Sequence, residues 1–93
     1  MNMRFEWDEN KRLINIKRHG IDFRDATLVF DSETYSVDDD RFDYGEVRLL
    51  TLGIANGRIL AVTHLEDEDL IRIISVRKAE RYEQEIYFTK IRD

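Results

Sequence analysis

Two groups of basic side chains are the residues best suited to chemistry in this sequence. The first lies within residues 11–19 and the second within residues 72–81. Guanidinium and ammonium groups bind phosphate and stabilise charge that develops on it, and a histidine transfers protons near neutral pH. The pattern therefore indicates an anion or nucleic-acid site, whose candidate residues are Lys11, Lys17, Arg18, His19, Arg72, Arg77, Lys78 and Arg81.

The first group also has a structural interpretation, which we weigh equally. Lys17, Arg18 and His19 fall in the last turn of a predicted helix, where cations complement the helix dipole. A binding interpretation instead makes this turn an anion patch, in which His19 serves as acid or base.

The second group is harder to explain by structure alone. Arg72 interrupts an apolar run, residues 70–74, and Arg77 and Lys78 are predicted to open the last helix, where cations oppose the dipole. A phosphate at that place would be held by free backbone N–H groups. The structural alternative pairs Arg77 with Glu80, and Arg81 with Glu85.

The first basic group is positioned by a strand and two helices that are predicted in the first third of the chain. Residues 4–7 alternate polar and apolar side chains, which predicts a strand. Asp8 is a candidate N-cap for a first helix, and Gly20 is a candidate left-handed ending for it. Asp22 then caps a short second helix, whose apolar positions recur at helical spacing as far as Phe30.

Three apolar runs follow, at residues 47–54, 58–65 and 70–76. The Asn56-Gly57 pair predicts a type I′ hairpin, and such short connections allow only antiparallel neighbours. Regular alternation would put Arg72 and Arg77 on opposite faces, so we predict a bulge or strand end near Ser75.

Residues 31–44 have no helical periodicity and are predicted to be mainly loop, with residues 34–37 as a possible short edge strand. The last helix is predicted to end near Phe88. The order is β-α-α-β-β-β-α, an α+β fold in which helices pack on an antiparallel meander, as a single domain over residues 1–93. His64 is predicted to be a half-buried strand residue opposite Leu49.

The net charge of −5 argues at first against a nucleic-acid partner. Residues 31–46 hold seven acids and one base, and residues 66–69 add four acids, which leaves nine acids and fourteen bases elsewhere, a balance of +5. The acidic segments are therefore expected to project away from Arg72 and Arg77.

Several classes of function lack support in the sequence. The chain has no cysteine and only two histidines, so we expect neither a metal site nor a cofactor. It has no apolar run of membrane-spanning length and no secretory signal, which predicts a cytoplasmic protein with no membrane partner. Gly-rich phosphate loops and nucleophile elbows are also missing.

Blocks over nearly the whole chain resemble the BrnT family of bacterial toxins. The residues that carry the resemblance are Phe5-Glu6-Trp7-Asp8, Lys11, Asn15, Lys17-Arg18-His19-Gly20, Phe23, Ala26, Phe30-Asp31, Glu46, Arg48, Gly53, Gly57-Arg58, and the run from Ile71 to Arg81 with Glu83 and Tyr87. Two features depart from the family. Val76 stands where the family more often has alanine, and Asp38-Asp39-Asp40 is unusually acidic for a protein that approaches RNA.

The resemblance implies a type II toxin with a RelE-like fold, an endoribonuclease that blocks translation by cutting mRNA, free or on the ribosome. It also implies a BrnA-like antitoxin with a ribbon-helix-helix domain, through which the complex meets operator DNA only indirectly. Without metal, the 2′-hydroxyl of RNA is the nucleophile. On this hypothesis Arg72 and Arg77 bind the phosphate, Arg81 and Lys17 support them, and His19 is acid or base, with Tyr87 a weaker candidate. The alternative is a non-enzymatic domain that binds the antitoxin and assists repression.

Overall fold

The computed structural model describes residues 3–39 and 45–92 of the 93-residue chain. These residues form one five-stranded sheet, in the order β1-β5-β4-β3-β2, with helices packed on it. The elements are β1 (Arg4–Trp7), α1 (Glu9–His19), α2 (Phe23–Ala26), a 3₁₀ helix (Thr27–Asp31), β2 (Tyr35–Asp39), β3 (Arg48–Ala55), β4 (Arg58–Asp67), β5 (Leu70–Lys78) and α3 (Arg81–Arg92). The predicted α+β class is confirmed.

Capping residues fix both ends of α1. The Asp8 side chain accepts a hydrogen bond from the Lys11 N–H at 3.1 Å. At the other end Gly20 is left-handed, with φ of 71°, and its N–H donates to the Ile16 carbonyl at 2.8 Å. A polar N-cap and a left-handed glycine satisfy backbone groups that a helix end leaves unpaired. The predicted bounds of α1 are confirmed.

The predicted antiparallel meander is confirmed for β3, β4 and β5. Asn56 and Gly57 have φ of 52° and 76°, the two left-handed residues of a type I′ turn. The sheet also includes β1, a strand for which the sequence pattern predicted no pairing partner. β1 pairs with β5 in parallel, with Arg4 opposite Leu70, so the sheet is mixed.

The prediction that residues 31–44 are mainly loop is wrong where the structure describes them. The 3₁₀ helix reaches Asp31, and β2 pairs antiparallel with β3 as an edge strand. Ser36 Oγ lies 2.6 Å from Thr51 Oγ1 across this pair. β2 bears out the possible edge strand at residues 34–37, with bounds of 35–39. Most of its side chains are exposed, so its sequence shows little apolar alternation. Residues 40–44 of the predicted loop lie outside the described residues.

The prediction that Arg77 and Lys78 open the last helix is also wrong. Both belong to β5, opposite Ala61 and Leu60 of β4. The ladder with β4 aligns these residues, and α3 starts only at Arg81. It ends at Arg92 instead of near Phe88.

The two faces of the sheet have separate cores. One face packs under α2 and the 3₁₀ helix, and its buried residues are Ile21, Phe23, Ala26, Val29, Ala55, Leu60, Val62, Ile71, Ile73 and Val76. The α3 face has a smaller core made of Leu52, Ile59, Ala61, Ala79 and Tyr87. The candidate arginines belong to the α3 face, as the register of β5 shows below.

A Gly53→Ala variant is expected to lose about 2 kcal/mol of unfolding free energy. A Cβ at this position would lie 2.6 Å from Val29 Cγ1 and 2.9 Å from Ser32 Oγ, so the 3₁₀ helix would have to move off β3. Urea denaturation measures the loss. The comparison variant is Gly57→Ala, which meets nothing within 4 Å and costs only left-handed strain, about 1 kcal/mol. Equal stabilities of Gly53→Ala and the wild type would contradict this close packing.

Candidate functional site

A bulge in β5 decides which way its two arginines point. The register against β4 shifts between Thr63 and His64, which leaves Ile74 as an extra residue in β5. An extra residue inverts the alternation of side chains beyond it. Arg72 and Arg77, five positions apart, therefore share the α3 face. The predicted irregularity in this strand is confirmed.

The two arginines are well separated along that face. Arg72 lies opposite Leu65 and Arg77 lies opposite Ala61, four residues apart on β4. At a rise of about 3.3 Å per residue this is about 13 Å along the strand. Their surroundings differ, and they are considered in turn.

Arg77 is held by a carboxylate of α3. Its Nη1 and Nη2 donate to the two carboxylate oxygens of Glu83 at 2.7 and 3.0 Å. The Arg77 side chain is 26% exposed and that of Glu83 only 5% exposed. Glu83 also accepts from the Glu80 N–H at 2.8 Å, as a residue in the third position of a helix does in a capping box. Arg77 thus pairs with Glu83 and not with Glu80, and its guanidinium is fixed where β5 meets α3.

Asn15 fastens α1 to β5 beside Arg77. Its Nδ2 donates to the Val76 carbonyl at 2.9 Å, and the Val76 N–H donates to its Oδ1 at 3.1 Å. Nδ2 also donates to the Ile21 carbonyl at 2.9 Å. β1 ends opposite Ile73, so the amide of Asn15 satisfies a stretch of the β5 edge that β1 does not reach. A buried amide with these partners locks the helix to the strand.

The same contact places His19. β1 ends opposite Ile73 and Asn15 meets Val76, so α1 advances along β5 in the direction of that strand. His19 lies one helical turn beyond Asn15 on the same side of α1, about 6 Å further along the helix axis. It is exposed, at the carboxyl end of the helix.

Exposed bases gather where β5 ends. Lys78 is the last residue of β5 and pairs with Leu60 of β4. Arg58 is the first residue of β4, two positions before Leu60. Arg81 is the first residue of α3, and its side chain is 95% exposed. Its 3.7 Å ion pair with Glu85, the predicted alternative, joins two exposed side chains and is a weak restraint. We call the following residues the basic end: Lys17, Arg18, His19, Arg58, Lys78 and Arg81.

Lys11 does not belong to the basic end. It lies in the first turn of α1, eight residues and about 12 Å before His19 along the helix axis. Its side chain is exposed.

Arg72 lies in acidic surroundings at the other end of β5. Its Nη1 donates to Glu6 Oε2 of β1 at 2.7 Å, and the two side chains are 40% and 44% exposed. An open cleft of about 420 Å³ contains this pair, and its lining includes the carboxylates of Glu46, Glu66 and Asp67. The expectation that the acidic segments project away from both arginines is therefore wrong for Arg72. The acidic turn 66–69 and Arg77 are at opposite ends of β5.

Tyr87 is placed for a structural part. It is 2% exposed, and its hydroxyl donates to the Glu33 carbonyl at 2.7 Å. This hydrogen bond connects α3 to the segment before β2. An RNA chain has no access to that hydroxyl in this arrangement.

His64 is fully buried, where half-burial was predicted. Its position opposite Leu49 is confirmed. Nε2 shares a hydrogen bond of 2.6 Å with Thr51 Oγ1, and the ring packs edge-on against Phe30, with centroids 5.0 Å apart. Burial lowers the pKa of His64 to about 4, although the backbone of Leu65 opposes the shift. The ring is therefore neutral at neutral pH.

Three residues of this site were missed as site residues by the sequence reasoning. Asn15 and Glu83 act through their contacts with β5, and Arg58 joins the basic end through the β4–β5 register. Asn15 had a signal, since an amide at position 15 interrupts the apolar side of a helix. Glu83 had one too, because it is the third residue of α3, but only once the helix start was known.

Within residues 3–39 and 45–92 no three His, Asp or Glu side chains come together as a metal site would need. In the same ranges no helix has the length and apolarity required to cross a membrane.

Comparison with known proteins gives one finding. The family model described as the ribonuclease toxin BrnT of type II toxin-antitoxin systems matches residues 7–83. This range includes α1, the whole of β5 and the start of α3, the elements that build the basic end. No curated protein matches the chain. Because the matched range covers most of the 93 residues, the chain belongs to the BrnT family of ribonuclease toxins.

Proposed function

We propose that this protein is a metal-independent endoribonuclease that inhibits translation by cutting mRNA in the cytoplasm. The observation that carries the proposal is the basic end, six exposed side chains from α1, β4, β5 and α3 around the end of β5, the strand that also carries Arg77. Such a surface attracts a polyanion in spite of a net charge of −5.

The chemistry follows from what a phosphodiester needs. The 2′-hydroxyl of the RNA attacks the neighbouring phosphorus, the bond to the 5′-oxygen breaks, and a 2′,3′-cyclic phosphate remains on the upstream piece. His19 is assigned to proton transfer, either from the attacking hydroxyl or to the leaving oxygen. Arg77 stabilises the charge on the phosphorane-like transition state, while Lys78 and Arg81 hold the flanking phosphates.

The proposal revises the parts given to three other candidates. Lys17 and Arg18 bind RNA beside His19, and Lys11 contributes at most a distant phosphate contact. Arg72 is left out of the reacting centre because its carboxylate neighbours repel RNA. Tyr87 is left out because its hydroxyl is committed to Glu33.

Membership of a type II toxin-antitoxin family implies an antitoxin partner as well as RNA. We assign this partner to the BrnA-like type, with a ribbon-helix-helix domain. Contact with operator DNA then runs through the antitoxin, because the basic end of the toxin is occupied by RNA or covered in the complex.

The purified chain is expected to cut a single-stranded RNA in the presence of EDTA and to leave a 2′,3′-cyclic phosphate. His19→Ala should slow cleavage by about a hundredfold, the usual contribution of a general acid or base. Gel analysis of end-labelled RNA measures the rate, and a 2′-deoxy nucleotide at the cut position should block the reaction.

The matched control is Arg24→Ala, which removes an exposed cation outside the basic end. Its rate should stay within about twofold of the wild type, since it changes only the long-range field. Cleavage that requires a divalent ion, or that proceeds at the 2′-deoxy position, would contradict the mechanism.

A second function is favoured by one observation, that Arg72 and Arg77 are both already paired with carboxylates. Because these two arginines are neutralised, the protein could instead be a non-enzymatic domain that binds the antitoxin and assists repression. The two functions differ in growth arrest. Expression without antitoxin arrests growth if the chain is a ribonuclease and has no effect if it is a binding domain only.

A further inference from the structure

The acidic cleft around Arg72 is an open concavity away from the basic end. It lies where β4 ends and β5 begins and has a volume of about 420 Å³. We define the acidic cleft by its lining residues, which are Glu6, Glu46, Val47, Leu65, Glu66, Asp67, Leu70 and Arg72.

The apolar part of the acidic cleft is open to solvent. Val47 is 70% exposed, a large value for an aliphatic side chain, and Leu65 and Leu70 are only half-buried. The carboxylates stand around these three residues. An aliphatic stem that ends in a cation fits such a site, because its methylene groups cover apolar surface while its head reaches the carboxylates.

Arginines neutralise only two of the four acids that line the acidic cleft. Arg72 is balanced by Glu6 at 2.7 Å. Glu46 is paired with Arg48 at 3.5 Å. Glu66 and Asp67 have no lysine or arginine within ion-pair distance among the described residues. Two acids are therefore left to attract a cation from outside.

Buried His64 is the basic side chain that lies near Glu66, and it leaves the charge of Glu66 in place. Its side chain is 0% exposed, and Nδ1 makes no hydrogen bond within the described residues. This nitrogen lies 3.8 Å from Glu66 Oε1. Because burial keeps the ring neutral, His64 does not balance the charge of Glu66.

The same features decide the class of occupant. RNA is repelled by the carboxylates. A bare metal ion is not favoured either, since the described residues bring no three acidic or histidine ligands together. A basic protein segment satisfies both the charge and the exposed apolar surface.

We infer that the acidic cleft is a docking site for a basic segment of the antitoxin. An arginine or lysine of that segment lays its stem over Val47, Leu65 and Leu70 and directs its cation to Glu66 and Asp67. The identity of the partner rests on the proposed function.

The location has a consequence for neutralisation. The acidic cleft begins at Leu70 and the basic end includes Lys78, and their partners on β4 are seven residues apart, which is about 23 Å along the strand. A segment in the cleft leaves the basic end open, so another part of the antitoxin must cover the RNA site.

The experiment compares two variants that each remove two negative charges. Glu66→Gln/Asp67→Asn changes the acidic cleft, and Asp31→Asn/Glu33→Gln changes two exposed acids outside it. Titration calorimetry measures the affinity of each for the antitoxin. The same measurement is made with a capped peptide of four Arg-Ala repeats, and with four Glu-Ala repeats as the reference peptide.

The cleft variant is expected to bind both the antitoxin and the Arg-Ala peptide at least tenfold more weakly, while the control variant stays within twofold. Equal losses in the two variants would mean general charge attraction and would overturn the inference. So would a cleft variant that keeps wild-type affinity for the antitoxin, even if it loses the peptide.

RNA cleavage separates this inference from the proposed function. The cleft variant, free of antitoxin, should cut RNA at the wild-type rate and unfold at the wild-type temperature within a few degrees. If the wild type does not cleave RNA but antitoxin binding depends on the acidic cleft, the proposed activity fails and the docking site stands.

Discussion

An Arg77→Ala variant is expected to cut RNA at least about a hundredfold more slowly than the wild type. The substitution removes the guanidinium that we place on the phosphate, and losing one preorganised donor at a developing charge costs about 2.7 to 4 kcal/mol of barrier. Glu83 holds the guanidinium in place through two of its five N–H groups. Single-turnover cleavage of a labelled RNA measures the effect without interference from product release.

Stability has to be separated from catalysis in this variant. Arg77→Ala leaves the carboxylate of Glu83 buried and without its guanidinium, which is a destabilising change of several kcal/mol in other proteins. The double variant Arg77→Ala/Glu83→Gln removes that charge and should recover much of the lost stability. If Arg77 acts on the phosphate, the double variant folds but still cleaves slowly. Wild-type cleavage by a folded double variant would contradict the role of Arg77.

Arg72→Ala is the matched comparison on the same strand. Its ion pair with Glu6 joins two partly exposed side chains, so the loss of stability should stay within about 1 kcal/mol. Cleavage should change by less than about threefold, because Arg72 lies about 13 Å from Arg77 along the sheet. A hundredfold loss in Arg72→Ala would return this residue to the reacting centre.

Local signals account for the elements that were predicted well. Asp8 and Gly20 act on backbone groups within a few residues of themselves, so α1 was readable from its own sequence. Asn56-Gly57 likewise fixes its turn without help from the rest of the fold. The bulge was predicted by a different route, because a shared site for Arg72 and Arg77 required an odd residue between them.

Long-range pairing accounts for the elements that were predicted poorly. β2 is held by β3 through pairs nine to seventeen positions apart, and Lys78 is held in β5 by its pairing with Leu60, eighteen positions away. The dipole argument for Arg77 therefore started from a helix end that does not exist there. With Arg77 in the strand, its partner became Glu83 of the next element.

The candidate site was predictable in its charge and not in its geometry. Summing charges by segment revealed the basic remainder, but the place of each acid depended on the sheet. Glu6 and Arg72 are neighbours because β1 pairs in parallel with β5, a contact across 66 positions. That pairing moves Arg72 out of the basic end, and the register between β4 and β5 brings Arg58 into it.

The buried imidazole of His64 should make the fold sensitive to mild acid. Its pKa is about 4 in the folded chain, because burial disfavours the charged ring, against 6.5 for the ordinary side chain. Between these values the unfolded chain binds a proton that the folded chain does not. The contribution of His64 to the free energy of unfolding is therefore fully present above pH 6.5, and it falls as the pH drops from 6.5 toward 4. The full difference amounts to about 3 kcal/mol of unfolding free energy, at about 1.4 kcal/mol per pH unit.

Urea denaturation at several pH values between 7.5 and 4.5 measures this slope, and substitution of each histidine identifies its source. His64→Gln should lower stability at pH 7.5, because an amide cannot fill the pocket between Phe30 and Thr51, but its slope should be flatter by nearly one proton. His19→Ala is the matched variant, because it removes an exposed histidine and leaves the buried ring of His64 in place. Carboxylates titrate mainly at the acid end of this range and affect all three proteins alike. An unchanged slope in His64→Gln would mean that the ring is already solvated in the folded chain. It would contradict a buried, neutral His64, and with it the statement that His64 does not balance the charge of Glu66.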